Sequence, residues 1–163
     1  MTYNNQQGGR PPHTPHETVA VVFVGCGYAA DFYGATMPNY PHVEVKGAFD
    51  HDRDRAATFV AEYGGRVFGD FDEVLNDPDV SVVVNLTPVS QHYRVSKAAL
   101  LAGKHVYSEK PLASRLPEAA ELVELARGRG LLVSSSPSTV FSRSAQTLLR
   151  AGGDGLIGSP RLV

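Results

Sequence analysis

Two short stretches of this 163-residue chain pair residue types that could hold a charged ligand between them. The first is Gly25-x-Gly27-x-x-Ala30, set between the apolar run Val19 to Val24 and a helix-like segment. Gly25 permits a tight turn, Gly27 lets backbone amides approach a diphosphate, and Ala30 keeps the helix close to the strand. Amides at the start of that helix, from Tyr28 and Ala29, would face the negative charge, aided by the helix dipole. Alone this signal is weak, because a glycine turn between strand and helix is common.

The second stretch is the end of the apolar run His42 to Phe49, where Asp50 follows 20 residues after Ala30. That is the spacing at which a carboxylate accepts hydrogen bonds from an adenosine ribose. The plainer alternative is an aspartate that caps its own loop, FDHDRDRA. A carboxylate beside a 2′-phosphate would repel it by on the order of a few kcal/mol before screening, so NAD is preferred. His51, Arg53 and Arg55 in the same loop admit NADP, since a cation there could pair with that phosphate if the loop folded inward.

The elements that must position these residues alternate along the chain. Val19 to Val24 reads as a buried strand, Asp31 to Met37 as a short helix closed near Pro38, and His42 to Phe49 as a second strand. Asp54 to Tyr63 is predicted helical, with Gly64 and Gly65 able to end it in the left-handed region. A brief strand near Val67 precedes a capping box, Asp70-x-x-Glu73, that opens a small helix before the turn Asp77-Pro78-Asp79. Val80 to Leu86 is nearly continuous β-branched sequence and should be a central strand covered on both faces.

Ser90 to Ala102 is predicted helical, with Val95, Ala98, Ala99 and Ala102 on one face and Gly103 as its stop. His105 to Ser108 is a strand, Pro117 to Arg127 a helix with Val123 and Ala126 inward, Leu131 to Ser134 a strand and Ser142 to Ala151 a helix. Such alternation implies parallel strands joined by right-handed crossovers: an α/β fold, a doubly wound parallel Rossmann sheet in a single domain. Ligands bind such sheets beyond the carboxyl ends of the strands, here Gly25, Asp50, Leu86, Glu109 and Ser136.

Composition narrows the partners. A net charge of -2 predicts no general attraction to nucleic acid or to anionic membranes. Apolar runs fall far short of the ~20 residues a membrane helix needs, and the first 17 residues lack the apolar core of a signal peptide. With Cys26 as the single cysteine no intrachain disulfide can form, and a cytoplasmic location is expected. Residues 1–17 read as a flexible tail whose His13 and His16 are solvated rather than metal-binding, so no metal site is expected. Residues 18–151 form the expected dinucleotide-binding domain.

Three motifs are set aside. Gly103-Lys104 is followed by His105 and lacks the upstream glycine of a triphosphate-binding loop. The sequon Asn85-Leu86-Thr87 closes a strand expected to be buried. Cys26, between the two glycines, could sense oxidants at a helix N-terminus, although a small buried filler is the simpler role.

From about Val19 onward, GCGYAA, NLTPVSQH (Asn85 to His92) and GKHVYSEKPLA (Gly103 to Ala113), in this order and spacing, resemble the Gfo/Idh/MocA family of oxidoreductases. The resemblance implies a Rossmann domain for NAD or NADP followed by a larger α/β domain that holds a sugar, cyclitol or related polyol. Glu109-Lys110-Pro111 matches the family's Glu-Lys-Pro motif, whose lysine reaches the reacting hydroxyl and the nicotinamide side, making Lys110 the expected catalytic residue. An ammonium at a strand's carboxyl end suits that task, because it can stabilise charge on an alcohol oxygen as hydride leaves the carbon. Thr87 and Pro88 match the loop that lies against the cofactor, and His92 a histidine often found four residues after that proline.

The family's usual downstream histidine and its substrate domain have no counterpart here, since 53 residues follow Lys110 and residues 152–163 read as the approach to that domain. A polyol substrate is therefore expected only where a second domain is supplied. Two other functions stay open at this stage: a noncatalytic dinucleotide-binding or regulatory module, and a methyltransferase, which also uses a glycine-rich first loop and an acidic second strand end.

Overall fold

The computed structural model describes residues 18–136, 138–158 and Arg161; the tail expected at 1–17, with His13 and His16, lies outside them. Strands β1 (Val19–Val24), β2 (Val43–Phe49), β3 (Arg66–Val67), β4 (Val82–Asn85), β5 (His105–Ser108) and β6 (Val133–Ser135) form one sheet. Its order is β3-β2-β1-β4-β5-β6 and every pairing is parallel. Between them run α1 (Tyr28–Gly34), α2 (Arg53–Tyr63), α3 (Phe71–Asn76), α4 (Val89–Leu101) and α5 (Leu116–Gly128), and α6 (Arg143–Gly153) follows β6. This is the doubly wound order, with its reversal between β1 and β4.

The β1 sequence VAVVFV is apolar at every position because both of its faces are covered. Val22 and Val24 pack with Val83, Val95 and Leu122 on the side of α3, α4 and α5. Val21 and Phe23 pack with Ala30, Phe59 and Val84 on the side of α1 and α2, where the Phe23 and Phe59 rings lie 4.7 Å apart. Each of the Val, Leu and Phe side chains contributes roughly 1.5–3 kcal/mol on burial, so the central strands anchor both layers.

Several expected boundaries shift for physical reasons. The first helix starts at Tyr28 rather than Asp31, since the Gly27 carbonyl already accepts the Ala30 N–H (2.8 Å), and a separate 3₁₀ turn occupies Met37–Asn39. Val80 to Leu86 keeps its expected course, although only Val82–Asn85 counts as strand; Ser81 and Leu86 N–H groups still donate to Ala20 and Val24 carbonyls. In α4 the buried stripe is His92, Val95, Ser96, Ala99 and Leu100, whereas Ala102 is exposed. Two polar residues complete that stripe, which a count of apolar positions passes over. In α5 Leu122 and Ala126 point inward and Val123 outward. The Asp70 cap accepts the Glu73 N–H as expected, but Glu73 reaches back to the Gly69 N–H instead of the cap's own.

One glycine holds the sheet edge together. Pairing between β1 and β2 skips Lys46, so that Val21 faces Val45 and Val22 faces Gly47. Gly47 takes φ +156, and a Cβ there would sit 1.9 Å from the Arg66 carbonyl oxygen of β3. Gly47→Ala is expected to break the β2–β3 pairing and cost on the order of 3 kcal/mol, read as a lowered urea midpoint. An unchanged midpoint would contradict this close approach.

Candidate functional site

Where strand order reverses, loops leaving β1 and β4 part and a crevice opens beyond the strand ends. One hollow of about 400 Å³ is lined by Gly25, Gly27, Asp50, His51, Arg55 and Arg94 among others. A second, of about 700 Å³, is lined by Tyr33, Val89, His92, Tyr107, Glu109 and Lys110. Both are bordered by Tyr28, Ala29, Leu86, Thr87 and Pro88, so they form one crevice passing across the start of α1.

The two glycines of the first loop do different work. Gly25 has φ +92, and a Cβ there would lie 2.8 Å from the Leu86 carbonyl group and the Thr87 nitrogen. It is required by the fold itself. Gly27 has an ordinary extended backbone (φ -84), and a Cβ there would meet no atom within 4 Å. What a side chain at Gly27 would occupy is the crevice, so its smallness serves an incoming group rather than the chain. The donors of this loop and the open space over them fit a dinucleotide's diphosphate.

Asp50 ends β2 and points at that loop. Its Oδ2 accepts the Cys26 N–H (2.7 Å) and its Oδ1 the Asp52 N–H (2.8 Å). The capping role weighed against ribose binding is thus present, and the carboxylate also ties the first loop to the second. Each oxygen keeps a lone pair for a further donor. The neighbouring Asp52 caps α2 and pairs with Arg55 at 3.2 Å.

At the other end, the Glu109 carboxylate accepts the Tyr33 hydroxyl (2.9 Å) and the Lys110 N–H (2.7 Å). Burial, more than its neighbours, pushes the Tyr33 hydroxyl above the usual phenol range, so it stays a donor to Glu109. Lys110 is exposed at the rim, and among the described residues no hydrogen bond or ion pair engages its ammonium. Behind the rim, buried Asn85 accepts from the Thr87 hydroxyl (2.6 Å) and donates to the His92 carbonyl (3.1 Å) and Ser96 Oγ (3.0 Å). The His92 ring faces the Pro111 carbonyl with Nδ1 (2.6 Å) and the Thr87 carbonyl with Nε2 (2.7 Å).

The crevice therefore gathers Gly25, Gly27, Tyr28, Ala29, Asp50, His51, Thr87, Pro88, His92, Glu109 and Lys110 along its walls. The last residue of each motif, Ala30 and Pro111, does not line it. Ala30 is fully buried against the sheet, where its small size lets α1 pack closely, and Pro111 contributes its carbonyl to His92. His92 borders the larger hollow, yet it is buried and both ring nitrogens face protein carbonyls. Sequence reasoning missed Tyr33, Asn85, Tyr107, Gln91 and Arg94, whose places depend on contacts between distant segments. The Asn85 amide could have been suspected as a polar residue closing an apolar strand.

These features define a dinucleotide-binding domain of the Rossmann type. The profile of the oxidoreductase family with NAD-binding Rossmann fold (Gfo/Idh/MocA) matches residues 19–136, and the chain belongs to that family. Membership decides for NAD over S-adenosylmethionine as the ligand class. The chain is 34% identical over 150 residues to a dTDP-3,4-didehydro-2,6-dideoxy-alpha-D-glucose 3-reductase of Streptomyces violaceoruber, covering 89% of this chain and 44% of that one. KijD10, a 3-ketoreductase from Actinomadura kijaniata crystallised with NADP and TDP-benzene, superposes with a TM-score of 0.81 at 30% identity, over 86% of this chain and 44% of its own. GenD2 from gentamicin A biosynthesis, in complex with NAD, gives 0.83 at 26% identity, over 91% and 43%. The chain thus spans less than half the length of these relatives. Among the described residues no helix is long and apolar enough to cross a membrane, and no cluster of His, Cys, Asp and Glu could hold a metal ion.

Cys26 sits between the glycines with its Sγ 3.8 Å from the Phe49 carbonyl oxygen. Burial first, then the Asp50 and Asp31 charges, push its thiol up to about 12. Such a thiol is a poor redox sensor, which leaves the filler role. Its raised value means the folded chain keeps a proton that the unfolded chain loses from about pH 9 upward, so its stabilising contribution is present below that and disappears as pH rises through about 12. Alkylation of Cys26 in the folded chain is expected to be slow at pH 8 and to keep climbing beyond pH 10. A rate that levels off near pH 9 would show an ordinary thiol.

Proposed function

We propose that this chain binds NAD along the whole crevice and forms the cofactor half of an oxidoreductase acting on a sugar-derived or related polyol substrate. The observation that carries the reading is a single crevice with the glycine loop in its middle, Asp50 at one end and Lys110 at the other. In this reading the amides of Gly27, Tyr28 and Ala29 hold the diphosphate and Asp50 the adenosine ribose. NAD held there would supply the nicotinamide that accepts or gives up a hydride. Thr87 and Pro88 form the wall beside it.

In this reading the unengaged ammonium of Lys110 donates a hydrogen bond to the oxygen on the reacting carbon and stabilises negative charge there. No ion pair joins Glu109 to that ammonium; the Glu109 oxygens accept from Tyr33 and from the Lys110 backbone. Substrate contacts and the proton-transfer partner belong to a second domain of the kind that longer relatives have room for. The names of the relatives support a sugar-type substrate: a dTDP-hexose reductase, a 1,5-anhydro-D-fructose reductase of Ensifer adhaerens and a 3-ketoreductase. A cytoplasmic location is part of the same proposal.

NADH fluorescence titration of the folded chain tests it. Saturable binding is expected, tighter for NADH than for NADPH, because in this reading the Asp50 carboxylate would repel a 2′-phosphate. Gly27→Val should abolish binding with little change in thermal stability, since its side chain enters the crevice and not the core. Asp50→Asn should weaken binding about tenfold, the loss of a charge-assisted hydrogen bond. Binding that survives Gly27→Val intact would remove the diphosphate from this loop.

A further inference from the structure

We propose that His92 is a positioning residue for the Lys110 end of the crevice, acting through the two loop carbonyls it faces; this rests on the dinucleotide reading above. The ring is 1% exposed, so water does not compete for its nitrogens. Nε2 lies 2.7 Å from the carbonyl of Thr87, in the loop after β4, and Nδ1 lies 2.6 Å from that of Pro111, in the loop after β5. Carbonyl oxygens only accept, so each contact forms by N–H donation from the ring: one at a time from a neutral imidazole, both from an imidazolium. Thr87, Glu109 and Lys110 are the polar residues these two loops present to the larger hollow. The ring therefore sets the spacing between the wall beside the ligand and the base of the Lys110 loop.

His92 is itself held from behind. Asn85 Nδ2 donates to its carbonyl (3.1 Å) and to Ser96 Oγ one turn on, while Asn85 Oδ1 accepts the Thr87 hydroxyl. The ring, the strand end and one loop thus form a braced unit at one end of the crevice. Asp50 takes no part in this unit, since its partners are the Cys26 and Asp52 N–H groups. Loss of the His92 ring should therefore disturb a ligand that reaches the Lys110 end and spare one that stops at the diphosphate.

The test is calorimetric titration of the full chain with NADH and with ADP, which carries only the adenosine and diphosphate. His92→Ala and His92→Phe are expected to weaken NADH about tenfold while ADP affinity changes less than twofold. His92→Phe keeps the bulk and apolar packing of the ring without its donors, and its melting temperature checks that the fold is retained. Equal weakening of NADH and ADP in a folded His92→Phe chain would overturn the proposal, showing that the ring supports the domain as a whole. Unchanged affinity for both would overturn it as well, since the carbonyls would then position nothing. A wild-type chain that bound neither ligand would overturn the dinucleotide reading and this inference with it, an outcome distinct from the other two.

Discussion

At the reversal of strand order the backbone of Gly25 lies so close to that of Leu86 and Thr87 that a Cβ would come within 2.8 Å of it. This approach forces the chain leaving β1 into the left-handed region and turns it abruptly into α1. It also sets the floor of the crevice, because the two strands whose ends diverge here are hydrogen-bonded side by side up to Val24 and Asn85. Everything placed around the crevice takes its position from that contact. Ala30 then closes the turn by fitting against the sheet with no exposed surface.

The carboxylate of Asp50 adds a second constraint. By accepting the Cys26 N–H it joins the ends of β1 and β2, and by accepting the Asp52 N–H it starts the cap of α2. Loop capping and ligand binding are often weighed as rival explanations for an aspartate at a strand end. Here they are compatible, since an ionised carboxylate has about four acceptor sites and the fold uses two. A carboxylate already oriented by two amides would also lose less conformational freedom on accepting a further donor.

Much of this was legible in the sequence because it depends on local chemistry. The β-branched run at Val80 to Leu86, the glycine pair, the acidic residue 20 positions after Ala30 and the Asp70 cap each follow from one segment's own preferences. Tyr33 and Glu109 were not legible as a pair: 76 residues separate them, and only the placement of β5 two strands from β1 brings the hydroxyl to the carboxylate. Ser96 and His92 were hidden for another reason. A helix stripe is usually read from apolar residues, and these two are buried because Asn85 and two carbonyls satisfy them. Val123 failed as an inward residue through phase alone, the stripe of α5 running through Leu122 and Ala126 instead.

The two ends of the crevice are built by separate parts of the fold, and that separation has a functional consequence. Asp50 depends on β1, β2 and the start of α2, whereas Lys110 depends on β5, the Tyr33 hydroxyl of α1 and the buried polar unit under α4. In the proposed reading, substitutions at the Asp50 end would change how tightly the adenosine half is held without moving Lys110. Binding energy realised far from the reaction is useful for catalysis only when it is transmitted as orientation, and the shared wall of Leu86, Thr87 and Pro88 is the element that touches both ends. The Asn85 side chain, fully buried beneath that wall, accepts both the Thr87 N–H and its hydroxyl and so ties the wall to the end of β4.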